Sequence, residues 1–253
     1  MITFSLQSGS NGNAIYVEAD GVRLLFDAGI SGRQAAARMA RHGRDIRGVD
    51  ALILSHWHRD HVRCAGVYHR LFHLPVYGAR ATFEVAGATL GELGPVRYFV
   101  PGQTLTFGRM QVHTLPTPHD AEDSVAFVVE AEGKRLGVLT DLGHPFGALV
   151  RTLPELDAVY LESNYDPHLL EVGSYPPELK ARIRGAHGHL SNQEAAELLA
   201  SCRPGRLRWV ALAHLSAENN CPELALETHR RLLGRTFPLT VASRYGVTEL
   251  LVV

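Results

Sequence analysis

Residues 1–29 contain three short segments in which apolar and polar positions alternate. The segments are MITFSL, NAIYVEA and VRLLFDAG, and the cluster SGSNGN separates the first two. Alternation with a period of two is typical of strands, and clusters of glycine, serine and asparagine are typical of turns. This part of the chain is therefore predicted to form three strands joined by tight turns.

Helical and strand patterns alternate along the rest of the chain. Helical periodicity marks residues 31–42, 62–74, 176–184, 192–201 and 222–233. Apolar, β-rich segments lie at residues 49–56, 110–119, 124–133, 134–143, 156–164 and 207–214. Strands that first form hairpins and later alternate with helices predict an α/β fold. We expect two mixed sheets packed face to face, with helices on the outer faces, in one domain spanning residues 1–253.

Composition sets broad limits on function. The chain of 253 residues is 45% hydrophobic and 20% charged, which is typical of a globular protein with a sizeable core. Its formal net charge of −1 provides no general attraction for nucleic acid or a membrane. There is no signal-peptide pattern and no apolar run of membrane-spanning length. The three cysteines show no paired spacing, so we expect a cytosolic protein with reduced thiols.

The segment ILSHWHRDHV concentrates metal-binding side chains directly after an apolar run. It contains His56, His58, Asp60 and His61. His56 and His58 are two residues apart, so in an extended segment they point the same way and can bind one ion. Asp60 and His61 follow where the chain turns into a helix, so they can face a neighbouring site. Because such side chains are costly to bury without partners, the run predicts metal binding.

Catalytic metal sites use three or four protein ligands, so further ligands are needed from elsewhere in the chain. Candidates are single polar residues at the ends of apolar strands: His119, Asp141 and His214. Taken alone, an isolated histidine is commonly structural and an aspartate before Leu-Gly is commonly a turn residue. The neighbouring H-x-H-x-D-H run makes the metal-binding interpretation the stronger one for all three.

These residues resemble the five motifs of the metallo-β-lactamase superfamily, in order and along almost the whole chain. The resemblance implies an αββα sandwich with a site for two divalent ions, Mn(II) or Zn(II), at one edge. One ion would be held by His56, His58 and His119, and the other by Asp60, His61 and His214. Asp141 would bridge the two ions. Asp27, in LLFDAG, would orient the metal-binding side chains without itself binding an ion.

Sequence details narrow the resemblance to one branch. A true β-lactamase of the superfamily has a cysteine where this chain has Asp141, and the flavodiiron oxidoreductases have a glutamate where it has His58. The segments SLQSGSNGN, GHLSNQEAAELL and LAHLSAENNCPELA resemble the YycJ/WalJ (VicX-like) branch. This similarity implies a nuclease with 5′→3′ exonuclease activity on DNA and a role in DNA repair. Cys221 departs from the pattern, since a threonine or similar small residue is expected there.

The segment GHLSNQEAA also resembles a segment of ribonuclease Z whose histidine acts at the scissile phosphate; the matching residue is His189. Independently, Ser191 or Asn192 is predicted to cap a helix that has Glu194 in its first turn. A histidine just before a helix N-terminus lies where a phosphate binds well. The alternative is an ordinary loop histidine. Ser191, Asn192 and Asn220 are predicted substrate contacts.

The sequence therefore predicts a metal-dependent phosphodiesterase. A metal-activated hydroxide would attack phosphorus, Asp60 would accept a hydrogen bond from this nucleophile, and His189 would be the general acid. DNA is the expected substrate, no membrane partner is expected, and a homo-oligomer stays open. Three alternatives also stay open: a small-molecule (cyclic) phosphodiesterase, a thioester or lactone hydrolase, and a non-enzymatic metal-binding interaction module.

Overall fold

The computed structural model describes residues 1–202 and 206–253, and it contains two seven-stranded sheets. The first sheet has the order β14-β1-β2-β3-β4-β5-β6. Its strands are β1 (Ile2–Gln7), β2 (Ala14–Ala19), β3 (Val22–Phe26), β4 (Ala51–Ile53), β5 (Val76–Ala79), β6 (Arg97–Phe99) and β14 (Leu251–Val252). The strands from β14 to β3 pair antiparallel, and those from β3 to β6 pair parallel.

The second sheet repeats this mixed arrangement in the order β13-β12-β11-β10-β9-β8-β7. Its strands are β7 (Thr104–Phe107), β8 (Met110–Pro116), β9 (Val125–Ala131), β10 (Lys134–Leu139), β11 (Ala158–Glu162), β12 (Trp209–Ala213) and β13 (Leu239–Val241). Neighbours from β7 to β10 run antiparallel, and those from β10 to β13 run parallel. Both sheets are therefore mixed, as predicted.

Helices cover the outer faces of both sheets. They are α1 (Gly32–Ala40), α2 (Arg59–Val62), α3 (Ala65–Phe72), α4 (Arg80–Leu90), α5 (Gly147–Thr152), α6 (Pro167–Val172), α7 (Pro177–Arg184), α8 (Asn192–Cys202) and α9 (Pro222–Leu233). Between the sheets, apolar side chains of both pack together, as where the rings of Phe26 and Phe127 lie 4.9 Å apart. Separate apolar clusters join α1 and α3 to the first sheet and α8 and α9 to the second. The αββα prediction is confirmed.

Several elements differ from the sequence prediction. The strand predicted over residues 49–56 covers only Ala51–Ile53, and the helix predicted over 62–74 is observed as the shorter α3, with α2 already ending at Val62. Gly66 allows α3 to pack closely against the end of α4, because an added Cβ would lie 1.7 Å from the carbonyl oxygen of Leu90. Elements that the pattern did not predict are β5, α4, β6, β7, α5, α6, β13 and β14.

Across residues 1–202 and 206–253, no helix combines the length and the apolar character needed to cross a bilayer.

Candidate metal centre

Five of the seven predicted ligands lie in loops that follow strand ends, and Asp60 and His61 lie on α2. His56 and His58 follow β4, His119 follows β8, Asp141 follows β10 and His214 follows β12. Because β4 is parallel to β3, and β10, β11 and β12 are mutually parallel, these ends meet at one edge of the sandwich. This edge is where folds with parallel strands position functional groups.

Three residues at this edge have strained backbones. Asp27, Asp141 and His214 adopt left-handed conformations, with φ of 63°, 57° and 56°. This conformation is unfavourable for residues other than glycine and is concentrated at functional sites. The surrounding structure therefore holds these three side chains in orientations that the chain would not otherwise favour.

All seven predicted ligands come together in overlapping groups. The nitrogens of His56, His58 and His119 lie within 4.8 Å of one another, and so do the candidate ligand atoms of Asp60, His61 and His214. Asp141 lies between the groups: its Oδ2 is 3.3 Å from His61 Nε2 and its Oδ1 is 3.6 Å from His119 Nε2. The seven predicted ligands thus form one continuous cluster, with Asp141 between its two halves.

Two atoms in this cluster fit a bound cation better than any protein partner. His56 Nε2 and Asp141 Oδ2 are buried and have no hydrogen-bond partner among the described residues. Leaving such groups unpaired costs about 1–3 kcal/mol each unless another ligand satisfies them. Imidazole nitrogens and carboxylate oxygens are donors that divalent transition metals prefer. The residues present therefore fit divalent ions.

The protonation states of the histidines divide the cluster in two. Burial lowers the pKa of His56 well below its usual value and that of His58 to about 4, so both rings are neutral, which is the form that binds metal. For His214, burial also lowers the pKa, but the surrounding carboxylates, Asp141 first, outweigh it and raise the pKa to about 10. The pKa of His61 is likewise raised by its carboxylate neighbours. An ion that binds to His61 and His214 must therefore displace protons from these two rings.

Carboxylate and carbonyl groups behind the ligands fix the ring orientations. Asp27 Oδ2 lies 2.7 Å from His61 Nδ1 and also accepts a hydrogen bond from Ser55 Oγ. His119 Nδ1 lies 3.1 Å from the carbonyl oxygen of Gly188. In both histidines Nδ1 is thereby engaged, which leaves Nε2 for the cluster. Asp27 is thus placed as its predicted orienting role requires.

Asp120 makes a similar contact that the sequence did not predict. Its Oδ1 lies 3.3 Å from His58 Nε2, while His58 Nδ1 lies 3.2 Å from His119 Nε2 inside the cluster. Arg182, on α7, donates to Asp120 Oδ2. Burial raises the pKa of Asp120, but the bond from Arg182 and the charges of Arg182, His119 and His58 together outweigh it and lower the pKa. Asp120 therefore connects a candidate metal ligand to an arginine at the mouth of the site.

Glu162 is a second residue that the sequence prediction missed. It is fully buried at the end of β11, and its Oε1 lies 2.8 Å from His189 Nδ1 and 3.1 Å from His214 Nδ1. Burial raises the pKa of Glu162, but these histidines outweigh it and hold the pKa well below its usual value. Its position after an apolar strand, in LESN, is the signal that also identified Asp141.

His189 lies beside the cluster and lines the groove above it, together with Trp57, Arg59 and Arg182. Because Glu162 engages Nδ1, the Nε2 atom of His189 is the one left for a substrate. Its side chain is 21% exposed, against 4% or less for Asp141 and His214. His189 is therefore accessible from the groove, as its predicted role requires.

The predicted substrate contacts are engaged with the protein itself, although Asn220 also lines a cavity beside the site. Asn192 is fully buried and exchanges hydrogen bonds with Asn220, which also donates to the carbonyl oxygens of Ser163 and Asn164. Ser191 is buried and forms reciprocal bonds with Glu194 at the start of α8. These side chains stabilise the loops that carry the site, and their polar groups are already engaged.

Cys221 belongs to no candidate metal-binding group among the described residues. It is exposed and precedes Pro222 at the N-terminus of α9. The unusual residue of the fifth motif therefore leaves the predicted ligand set intact.

A buried cluster of histidines and aspartates at the edge of an αββα sandwich defines a metal-dependent hydrolase. Residues 8–205 match the family described as the Metallo-beta-lactamase superfamily. Exodeoxyribonuclease YycJ of Bacillus anthracis is 33% identical over 222 residues, covering 87% of this chain and 84% of that protein. Exodeoxyribonuclease WalJ of Streptococcus pneumoniae is 33% identical over 224 residues, covering 87% and 83%.

Among solved structures, the metallo-beta-lactamase fold protein YhfI from Bacillus subtilis is similar, with a TM-score of 0.75 at 17% identity. The similarity covers 98% of this chain and 99% of that one. The chain belongs to the metallo-β-lactamase superfamily, within its YycJ/WalJ branch.

Proposed function

We propose that this protein is a metal-dependent nuclease that acts on DNA as a 5′→3′ exonuclease. The observation that carries the proposal is His189, which faces the groove beside the complete ligand cluster with Nδ1 held by the buried Glu162. A positioned proton donor suits the expulsion of an alkoxide from phosphorus. Thioester or lactone hydrolysis has no obvious need for this segment. The names of the YycJ and WalJ relatives support DNA as the substrate.

The proposed cofactors are two divalent ions, Mn(II) or Zn(II). His56, His58 and His119 would hold one ion, Asp60, His61 and His214 the other, and Asp141 would contact both. When bound, the ions supply positive charge to a phosphoryl oxygen and make water a nucleophile near neutral pH.

The protein's own groups orient the reactants. Asp60 accepts a hydrogen bond from the attacking water and keeps its lone pair directed at phosphorus. Its pKa is raised by burial but lowered more strongly by His61 and His214, so it is ionised at neutral pH. His189 donates a proton from Nε2 to the leaving oxygen, while Glu162 holds the ring through Nδ1.

Local arginines must bind the phosphates, because a net charge of −1 gives no general attraction. Arg59 and Arg182 both line the groove. Arg182 is also bound to Asp120, which fixes its position there. These two arginines are therefore the phosphate contacts in this proposal.

End-labelled DNA tests the function directly. Single- and double-stranded DNA carrying a label at either end would be incubated with the metal-loaded protein. The proposal expects early release of labelled mononucleotide from the 5′ end only, and none after chelation. Release from the 3′ end first would overturn the polarity, and no cleavage of any DNA or RNA would overturn the nuclease proposal.

The near-neutral charge favours a second candidate, a small-molecule phosphodiesterase. Activity on long DNA should fall with salt more steeply than activity on a small phosphodiester, because released counterions contribute only to polymer binding. An equal salt response for both substrates would favour the second candidate.

A further inference from the structure

A cavity of about 460 Å³ lies just beyond His214, between the loop after β12 and the segment after β13. Its walls include Leu215, Pro222 and Val241. The volume is within the range of about 300–1,000 Å³ that is typical of small-molecule sites. None of the residues assigned to the metal cluster lines it.

The cavity adjoins the catalytic groove. Ser216 lines the cavity and also a neighbouring pocket that shares His189 and Arg182 with the groove. A group bound in the cavity would thus lie next to a phosphate bound at Arg182. The two sites can take adjoining parts of one molecule.

The polar groups of the cavity are hydrogen-bond donors. Ser216 Oγ accepts a bond from the backbone of Asn219, and Ser243 Oγ accepts bonds from Tyr245 and Gly246. Neither hydroxyl proton has a partner in the part of the chain that the structure describes. The cavity therefore combines apolar walls with two serine hydroxyls that can donate to an acceptor.

An aromatic ring lies at the mouth of the cavity. Tyr245 is 76% exposed, although tyrosine carries a large apolar surface. The Arg244 guanidinium lies 5.9 Å from its ring centroid and is anchored by a bond to the carbonyl oxygen of Leu215. Asn11 of the SGSNGN loop donates to the backbone of Arg244. A rigidly supported, exposed ring of this kind is suited to stacking.

We propose that this cavity binds the nucleobase of the nucleotide joined to the scissile phosphate. The proposal rests on the proposed nuclease function. A nucleobase has two apolar faces, which the cavity walls and Tyr245 cover. Every base also has acceptor atoms on its edges, to which the two serine hydroxyls would donate without selecting one base. The ligand class is therefore any nucleotide, with little preference for sequence.

Binding of mononucleotides tests the proposal without turnover. The affinities of thymidine 5′-monophosphate and of deoxyribose 5-phosphate for the metal-loaded protein would be compared by calorimetry. Base stacking contributes roughly 5- to 150-fold in affinity, so the nucleotide should bind more tightly by about this factor. Tyr245→Ala should remove most of the difference. Tyr98→Ala is the matched control, since Tyr98 is 51% exposed with Arg80 over its ring but lies on β6, outside the cavity.

The exposed thiol of Cys221 provides a second readout, because it lines the cavity. Thymidine 5′-monophosphate should slow alkylation of Cys221, and deoxyribose 5-phosphate should not. Cys64, packed against the helices of the first sheet, should be unaffected. Equal affinity for both ligands together with an unprotected Cys221 would overturn the proposal.

Cleavage separates failure of the cavity proposal from failure of the nuclease function. DNA with an abasic residue at the scissile position should be cleaved more slowly than intact DNA, and Tyr245→Ala should abolish this difference. Cleavage indifferent to the base would overturn the cavity proposal alone. Absence of cleavage with base-dependent nucleotide binding would instead overturn only the nuclease function.

Discussion

Replacing His189 with alanine removes the proposed proton donor and leaves the metal cluster intact. His189 Nδ1 lies 3.7 Å from Asp141 Oδ1, but the seven predicted ligands are complete without His189, so the variant should fold and bind both ions. Its loss frees Glu162, which still accepts bonds from the backbone of Leu142 and Leu190 and lies 3.1 Å from His214 Nδ1. The metal content and the folding of the variant can therefore be measured as controls in the same preparation.

The expected effect on rate follows from the role of the group. General acid catalysis contributes about 10²–10⁴-fold, which corresponds to roughly 3–5 kcal/mol of transition-state stabilisation. The kcat on DNA should fall by this factor, with little change in KM. A nitrophenyl phosphodiester should be affected far less, because its leaving oxygen needs no proton.

Steady-state kinetics of both substrates, with His144→Ala as a matched control, would measure the contrast. His144 lies nearby and its Nδ1 is engaged by the carbonyl oxygen of Ala186, but it does not line the groove. Equal losses on both substrates would indicate a phosphate-binding residue. Full activity of His189→Ala on DNA, with metals bound, would refute the role.

Three further predictions concern the surroundings of the site and the core. Asp120→Ala should weaken metal binding about 10–100-fold by releasing His58, measured by competition with a chelator; unchanged affinity would contradict the orienting role. Arg182→Ala should lower the slope of log KM against log salt on DNA by about one, and an unchanged slope would mean that it contacts no phosphate. Burial lowers the pKa of His229 to about 4, against a bond to Ala225 that raises it. As the pH falls, His229 is therefore protonated in the unfolded chain before it is protonated in the folded one. The free energy of unfolding should fall by up to about 3 kcal/mol between pH 6.5 and pH 4. His229→Leu should reduce this acid-induced loss in urea titrations, and an identical pH dependence would contradict the assignment.

The sequence predicted the ligand cluster because five of the seven ligands follow strand ends. His119, Asp141 and His214 are single polar residues after apolar runs, and parallel strands bring such positions to one edge. Glu162 follows the same rule but was missed, because a glutamate after a strand is also an ordinary surface residue. Only the structure shows that it is fully buried against two histidines.

A sequence pattern can show which segments surround a site. It does not show which side-chain atoms are free to contact a substrate. Asn192 and Asn220 lie close to the site, but they bond to each other in the interior. Short elements were also missed: β5 has four residues and β13 has three, too few to show a period. The single domain, the cytosolic location, the role in DNA repair and a homo-oligomer stay predictions.

The central claim is that the seven ligands form a two-ion centre that cleaves DNA. Metal-free protein would be titrated with Mn(II) or Zn(II), while ions bound per chain and cleavage of labelled DNA are measured together. We predict that two ions bind, that cleavage follows occupancy of the second, and that Asp141→Ala loses both. Full cleavage with one ion per chain, with Asp141→Ala still active, would contradict the account.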